Sequence, residues 1–240
     1  MSKLQLSIAI GDYDRNRPLI DGRVKIDGVD PVVMTLTPEE MFFRAMRHEA
    51  FDVCELSLSS FTLRTARGDC PYVGVPAFLS REMLMDGDID AYIGPRAPSS
   101  FIPSNPTLSW IFPDPTVEAI RFYEKTKIFP IMHLVGVRKS LAEQHPWLPM
   151  ALLKAFTESK RIALEHLSDT AATKITLPFV EEQLRRAHSF MGDDFWSYGA
   201  DANRHVLEAF TRHHHAQGIS PRVVGVEELF HPGTLESFKI

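Results

Sequence analysis

Cysteine is almost missing from this sequence: Cys54 and Cys70 are the only two in 240 residues, and they show no CxxC spacing. That excludes a disulfide-stapled scaffold and a paired-thiolate zinc site, and predicts two reduced, partly buried thiols. Long apolar runs are absent too, since no stretch approaches the ~20 residues of a membrane span. Residues 1–10 alternate apolar and polar side chains as a strand does, with no charged head before an apolar core. No signal peptide is therefore expected, and the protein is expected in the cytoplasm. Positive charge is not in excess. The formal net charge is −5, which argues against a general nucleic-acid binder needing a basic face. A few arginines converging in a cleft would still make a local anion site. P-loop, GxGxxG, HExxH and GxSxG signatures are all lacking, which removes the common nucleotide, zinc-protease and hydrolase readings.

What is present reads as an α/β chain. Residues 4–10 predict a strand that runs into the polar loop 11–18, and open α/β sheets place ligands at such carboxyl ends. A second strand is expected at 29–36. Thr37 then caps a helix with Pro38 at its first position and Glu39 and Glu40 in its first turn. A strand at 51–56, a helix at 57–67 and a strand at 72–78 interrupted by Pro76 follow. Beyond Arg81 the pattern predicts a strand at 89–93, a helix at 116–126 and a strongly apolar strand at 128–137. Helices follow from Ser140 onward, broken at Pro146-Trp147, then at 179–190 and at 202–216, before a loop-rich tail.

The run His213-His214-His215 resembles metal bait. Successive helical residues point about 100° apart, so the three cannot share a face, and a solvated helix end is expected. Trp147, Phe195 and Trp196 are expected in the core or between lobes. Two segments carry more. In the stretch from Arg44 to Ser60, a helix end, a strand and a hydroxyl-rich turn succeed one another. If Ser57 to Ser60 open a helix, their amides and hydroxyls make an anion-receptive terminus, with simple capping by Ser57 or Ser59 the equal alternative. In Ile128-Phe-Pro-Ile-Met-His133-Leu-Val a single titratable group sits in an apolar run, either as a satisfied core histidine or as a catalyst.

Several segments taken together resemble the 4,5-dihydroxyphthalate decarboxylases. They are Gly11-Asp-Tyr-Asp-Arg15 with Pro18-Leu19 and Asp21-Gly22; Phe43-Arg44 with Arg47-His48; and Phe51-Asp-Val-Cys-Glu-Leu-Ser57 through Ser60. Pro76-Ala-Phe78-Leu-Ser-Arg81, Gly87-Asp-Ile-Asp-Ala91, Pro95-Arg96 and Ile128 to His133 continue in the same order. So do His145-Pro146-Trp147, Tyr198-Gly199 and Glu228-Leu229-Phe230. The resemblance implies a two-lobed architecture like the type II solute-binding proteins. Residues 1–80 and 192–240 would form a discontinuous first lobe and 81–191 the second. It also implies a departure, because a long additional stretch of the family is missing where Arg81 meets Glu82. A second lobe shortened in this way would leave sheet edges and apolar faces without cover, and self-association into a homo-oligomer is then expected.

The implied reaction removes one carboxylate from 4,5-dihydroxyphthalate to give protocatechuate and CO2, with no cofactor and no metal ligand set required. Each carboxylate is para to a ring hydroxyl, so a phenolate can push electrons to the carbon that bears it. Such a site needs cations for the carboxylates, a base near the phenol and an acid near the ring. The residues implied are Arg44, Arg81 and Arg96 for the carboxylates. His133 and His48 are acid–base candidates, with Glu55 and Asp14 to orient them or accept the phenolic proton. Tyr13 and Phe78 would flank the ring, and Ser57 and Ser59 would donate from the helix start. Two other functions fit the same resemblance: a binding protein that holds a small solute unchanged, and an inactive remnant of the decarboxylase.

Overall fold

The computed structural model describes residues 3–81, 112–169 and 177–236. Alternating side chains make β1 (Leu4–Ile10), which is followed by α1 (Arg17–Ile20). Next come β2 (Val29–Thr35), α2 (Pro38–His48), β3 (Val53–Ser57), α3 (Leu58–Arg67) and β4 (Tyr72–Arg81). Then follow α4 (Pro115–Thr126), β5 (Ile131–Arg138), α5 (Lys139–Gln144), α6 (Leu148–Ser168) and α7 (Val180–Met191). The C-terminal part holds α8 (Arg204–Ala216) and the short α9 (Val226–Leu229). The fold is α/β with one open sheet of strand order β2-β1-β3-β5-β4 among the described residues. None of the described helices is long and apolar enough to cross a membrane.

Two helix starts follow directly from capping chemistry. The Thr37 hydroxyl accepts from the Glu40 amide with Pro38 at the first turn, and the Ser57 hydroxyl accepts from the Ser60 amide. These helices end where Glu49 and Gly68 turn left-handed. β1 pairs in parallel with β2 from Leu4↔Val29 to Ile10↔Thr35, and with β3 at Ile8↔Val53 and Ala9↔Cys54. β3 is buried over most of its length, and Asp52 just before it ties down Ser7 of β1. The Asp52 carboxylate accepts from the Ser7 amide at 2.8 Å and the Ser7 hydroxyl at 2.7 Å.

The strand expected in the second lobe lies elsewhere. β5 runs antiparallel to β3, from Val53↔Val137 to Ser57↔His133, and sits between β3 and β4. The chain therefore leaves the sheet after β4 and returns to insert a strand beside β3. The apolar run 131–137 is buried because both of its edges and its faces are covered. By compactness the chain divides into Met1–Ser80 with Ile131–Ile240, and Arg81–Pro130. In the second unit, α4 is capped by Asp114, whose carboxylate accepts from the Thr116 and Val117 amides at 3.0 Å. The strand expected at 89–93 lies outside the described residues.

Three other expectations change. Pro76 does not interrupt β4, since an extended proline is tolerated in a strand at the sheet edge. That edge is partly covered by the tail, where the His231 amide donates to the Gly74 carbonyl at 3.0 Å. A Cβ at Gly74 would lie 2.4 Å from the Leu229 carbonyl, so only glycine fits the approach. Trp147 is half-exposed rather than core. Of the histidine run only His214 is buried; its Nε2 lies 3.0 Å from the Ser59 hydroxyl, which ties α8 to α3.

Burial holds the His214 pKa below the usual imidazole value, and it does the same at His231, whose Nδ1 accepts from the Gly233 amide. Both are therefore neutral in the fold. Their contribution to stability is full above the ordinary value of 6.5 and is lost as pH falls below it, where the unfolded chain binds the proton first. Urea unfolding at about pH 8 and about pH 5 should give a lower midpoint in acid. In His214→Phe this acid sensitivity should shrink, with a baseline loss of about 1 kcal/mol for the Ser59 bond. An unchanged pH slope would remove His214 from the account.

Candidate active site

Glu55 lies in the middle of β3 and is fully buried. A carboxylate there is tolerable only if donors surround it. Three do. The Gly11 amide donates to Oε2 at 3.0 Å, the Tyr13 hydroxyl donates to Oε1 at 3.1 Å, and His133 Nδ1 lies 2.7 Å from Oε1. The sheet brings these groups together. Glu55 is opposite Val135 and His133 opposite Ser57, so the two side chains share one face as diagonal neighbours across the antiparallel pair. Gly11 and Tyr13 arrive from the turn at the carboxyl end of β1, the strand parallel to β3 on its other side.

That turn is built, not loose. The expected loop 11–18 is a 3-10 turn at Asp14–Asn16 leading into α1. Fully buried Asn16 donates its amide to the Gly11 carbonyl at 2.9 Å. A Cβ at Gly11 would lie 2.5 Å from the Tyr13 ring, so glycine is what lets the phenol fold back onto Glu55.

An ionised carboxylate only accepts, so the hydrogen between Glu55 and His133 sits on Nδ1. Nε2 is then the nitrogen that gains and gives protons, and it has no hydrogen-bond partner among the described residues. The His133 side chain keeps 16% of its surface exposed while that of Glu55 has none. Phe42 of α2 meets the imidazole edge-on at 4.9 Å and holds the ring plane.

The structure gathers Glu55, His133 and Tyr13 and disperses other expected residues. Asp14 is half-exposed and pairs with Arg15 at 3.2 Å. Arg44 bonds Glu40 at 2.9 Å and sits over the Phe51 ring, and His48 is exposed beside Phe43. The reason is topological: α2 runs back from the carboxyl end of β2 to the amino end of β3. Its last turns thus lie at the opposite edge of the sheet from the Glu55–His133 pair. Ser57 serves as the cap of α3, Ser59 faces His214, and Phe78 is buried against Tyr198 and Phe230. Arg81 closes β4, and Arg96 lies outside the described residues.

Two cationic residues were missed. The Arg15 guanidinium lies over Tyr13 at 4.3 Å and Trp196 at 4.7 Å, and donates through Nε and Nη2 to the Leu79 carbonyl. Buried Lys160 of α6 donates to Asp194 at 2.7 Å and to the Trp196 carbonyl at 2.9 Å. The only sequence signal was the placement of Arg15 in the Gly11–Arg15 block; the contacts with Trp196 join residues far apart in the chain. A cavity of about 150 Å3 beside Lys160, Asp194 and Tyr198 has none of Tyr13, Glu55 or His133 in its wall. Among the described residues no three His, Cys, Asp or Glu side chains converge as a metal site.

Fold and site together define an α/β protein with a histidine oriented by a buried carboxylate at the strand ends of an open sheet. No protein-family model matches the chain. A 4,5-dihydroxyphthalate decarboxylase of Comamonas testosteroni is 44% identical in an alignment of 330 positions that covers 100% of both chains. Another, from Pseudomonas putida, is 62% identical over 81 residues, covering 34% of this chain and 31% of its own. The chain belongs to the 4,5-dihydroxyphthalate decarboxylase family. It has 240 residues against 330 in the Comamonas relative, in keeping with a shortened chain. Among solved structures, protein AF1704 of Archaeoglobus fulgidus aligns with TM-score 0.48 and 14% identity over 90% of this chain and 98% of its own. A putative periplasmic sulfonate-binding protein of Methylobacillus flagellatus gives 0.48 and 13% over 97% and 93%. At these scores the likeness carries no weight for function.

Replacing Glu55 tests the geometry without any substrate. Glu55→Ala strands the Gly11 amide, the Tyr13 hydroxyl and the His133 N–H inside the protein, and should cost about 3 kcal/mol or more in urea unfolding. Glu55→Gln, of the same shape, should cost clearly less. A loss under about 1 kcal/mol in Glu55→Ala would contradict the three-donor arrangement.

Proposed function

We propose that this chain decarboxylates 4,5-dihydroxyphthalate, releasing CO2 and leaving protocatechuate. The observation that carries the reading is the 2.7 Å contact between buried Glu55 and His133 Nδ1, which leaves Nε2 as the working nitrogen. The family supplies the substrate class, since both curated relatives bear that enzyme name.

The chemistry follows from the para relation of hydroxyl and carboxylate. As the phenolic O–H gives its proton to solvent, which returns it to the phenolate after CO2 has left, electron density moves to the carbon bearing the carboxylate, and protonated His133 delivers its Nε2 proton there. The ring loses aromaticity in that step. Breaking the bond to the carboxylate returns its electron pair to the ring and releases CO2. One proton is taken up in each turnover, and His133 recovers it from solvent. Glu55 holds the imidazole through Nδ1 and stabilises its charged form. Tyr13 serves the pair through its bond to Glu55. Arg81 and Arg96 are kept as the cations for the carboxylates on the strength of the family resemblance alone. The fold is read as the two-lobed solute-binding type with a shortened second lobe, and the setting as cytoplasmic, where two reduced, buried cysteines persist.

Incubating the purified protein with 4,5-dihydroxyphthalate should yield protocatechuate and CO2 in equal amounts. His133→Ala should lower kcat by about 100-fold or more, while His48→Ala, at the far edge of the sheet, should leave it within about twofold. Saturable binding without CO2 release would replace the enzyme by a solute binder. Turnover untouched by His133→Ala would remove the proposed acid.

A further inference from the structure

Arg15 stands one aromatic ring away from the Glu55–His133 pair, and its surroundings are unusually complete. Its side chain is mostly buried, with 16% of its surface exposed. The guanidinium is stacked on Tyr13 and Trp196, and Nε donates to the Leu79 carbonyl at 2.8 Å. Its own carbonyl accepts from the Ser159 hydroxyl of α6 at 2.5 Å, and the Trp196 ring is fixed in turn by donating to the Phe78 carbonyl at 3.0 Å. One side chain thus joins the turn after β1, the end of β4 and the segment after α7. A surface arginine has no need of such a setting.

The consequence falls on Tyr13. A cation over the face of a phenol is attracted by the ring electrons and draws density from them. It holds the ring in place and makes its O–H a better donor. That donor is bonded to Glu55 Oε1, the same oxygen that holds His133. We propose that Arg15 is a positioning residue of this site: by clamping the Tyr13 ring it sets the Tyr13–Glu55 hydrogen bond, and through that bond the grip of Glu55 on His133.

Weakening the Tyr13 bond leaves Glu55 a more basic carboxylate, which holds the proton on His133 more firmly. His133 then titrates at higher pH. Among the described residues, the ionisable groups that reach the pair are Tyr13 from the β1 turn, the Cys54 thiol beside Glu55 on β3, which burial pushes up and keeps neutral, and, behind the Tyr13 ring, Arg15 with its partner Asp14. The other ring contact comes from α2, which presents apolar Phe42. The bearing on turnover rests on the decarboxylase reading; the coupling between Arg15 and His133 does not.

The test is an NMR titration of the His133 ring in the wild-type chain, Arg15→Met, Tyr13→Phe and the double variant, beside pH profiles of kcat/KM. Arg15→Met and Tyr13→Phe should each raise the His133 midpoint by about a third of a pH unit or more. Arg15→Met should add nothing once Tyr13 is Phe. Arg15→Lys keeps a cation over the ring; it should fall between wild type and Arg15→Met, and it reports alone if Arg15→Met does not fold. A midpoint unmoved in Arg15→Met, or unmoved in Arg15→Lys when that variant alone folds, overturns the proposal. So does a shift that persists in full on the Tyr13→Phe background, or an effect confined to KM in both backgrounds, which would make Arg15 a direct substrate ligand. The coupling without wild-type turnover would support this role while removing the decarboxylase reading.

Discussion

A carboxylate in the middle of a β-sheet must be met by donors on every side, and most of what distinguishes this fold can be traced to that requirement at Glu55. Two groups come from the turn after β1, because a parallel neighbour ends beside β3. The third comes from β5, because an antiparallel strand places His133 diagonally across from it. Remove either neighbour and an ion is left stranded in the core, at a cost of about 3 to 5 kcal/mol. The insertion of β5 between β3 and β4 is therefore more than a topological detail. It supplies the imidazole, and the imidazole gives the buried charge a purpose.

The two edges of the sheet do different work. At the amino end of β3, Asp52 fastens Ser7 and faces Arg138, while Arg44 covers Phe51. These contacts tie strands together. At the carboxyl end, Gly11, Tyr13, Glu55 and His133 converge, with Arg15 and Trp196 behind them. That division agrees with the general habit of α/β sheets, which hold ligands beyond the carboxyl ends of their strands.

Much of this was legible in the chain itself. Alternation predicted β1, capping by Thr37 predicted the start of α2, Ser57 was one of two candidate caps for α3, and Pro146-Trp147 marked the break between α5 and α6. His133 was singled out because a titratable group in an apolar run needs a reason, while Glu55 and Tyr13 came from the family resemblance, Tyr13 as a flank for the ring. Proximity across the sheet could not be read. Arg44 and His48 lie close to Glu55 in sequence, yet a helix of eleven residues carries them to the far edge. His133 is far away in sequence, and strand pairing brings it within 2.7 Å. The placement of β5 was missed for the same reason, since an apolar run shows that a strand is buried without showing in which sheet. His214 was hidden by its exposed neighbours: one residue of a triplet turns inward because a helix has only one face for the core.

The central claim is that an ionised Glu55 accepts from His133 Nδ1 and leaves Nε2 to the substrate. The most direct measurement is the nitrogen-15 spectrum of the two His133 ring nitrogens at a pH where the ring is neutral. The account predicts a protonated Nδ1 and a bare Nε2. A protonated Nε2 with a bare Nδ1 would mean that Glu55 carries the proton, and would contradict the account at its foundation.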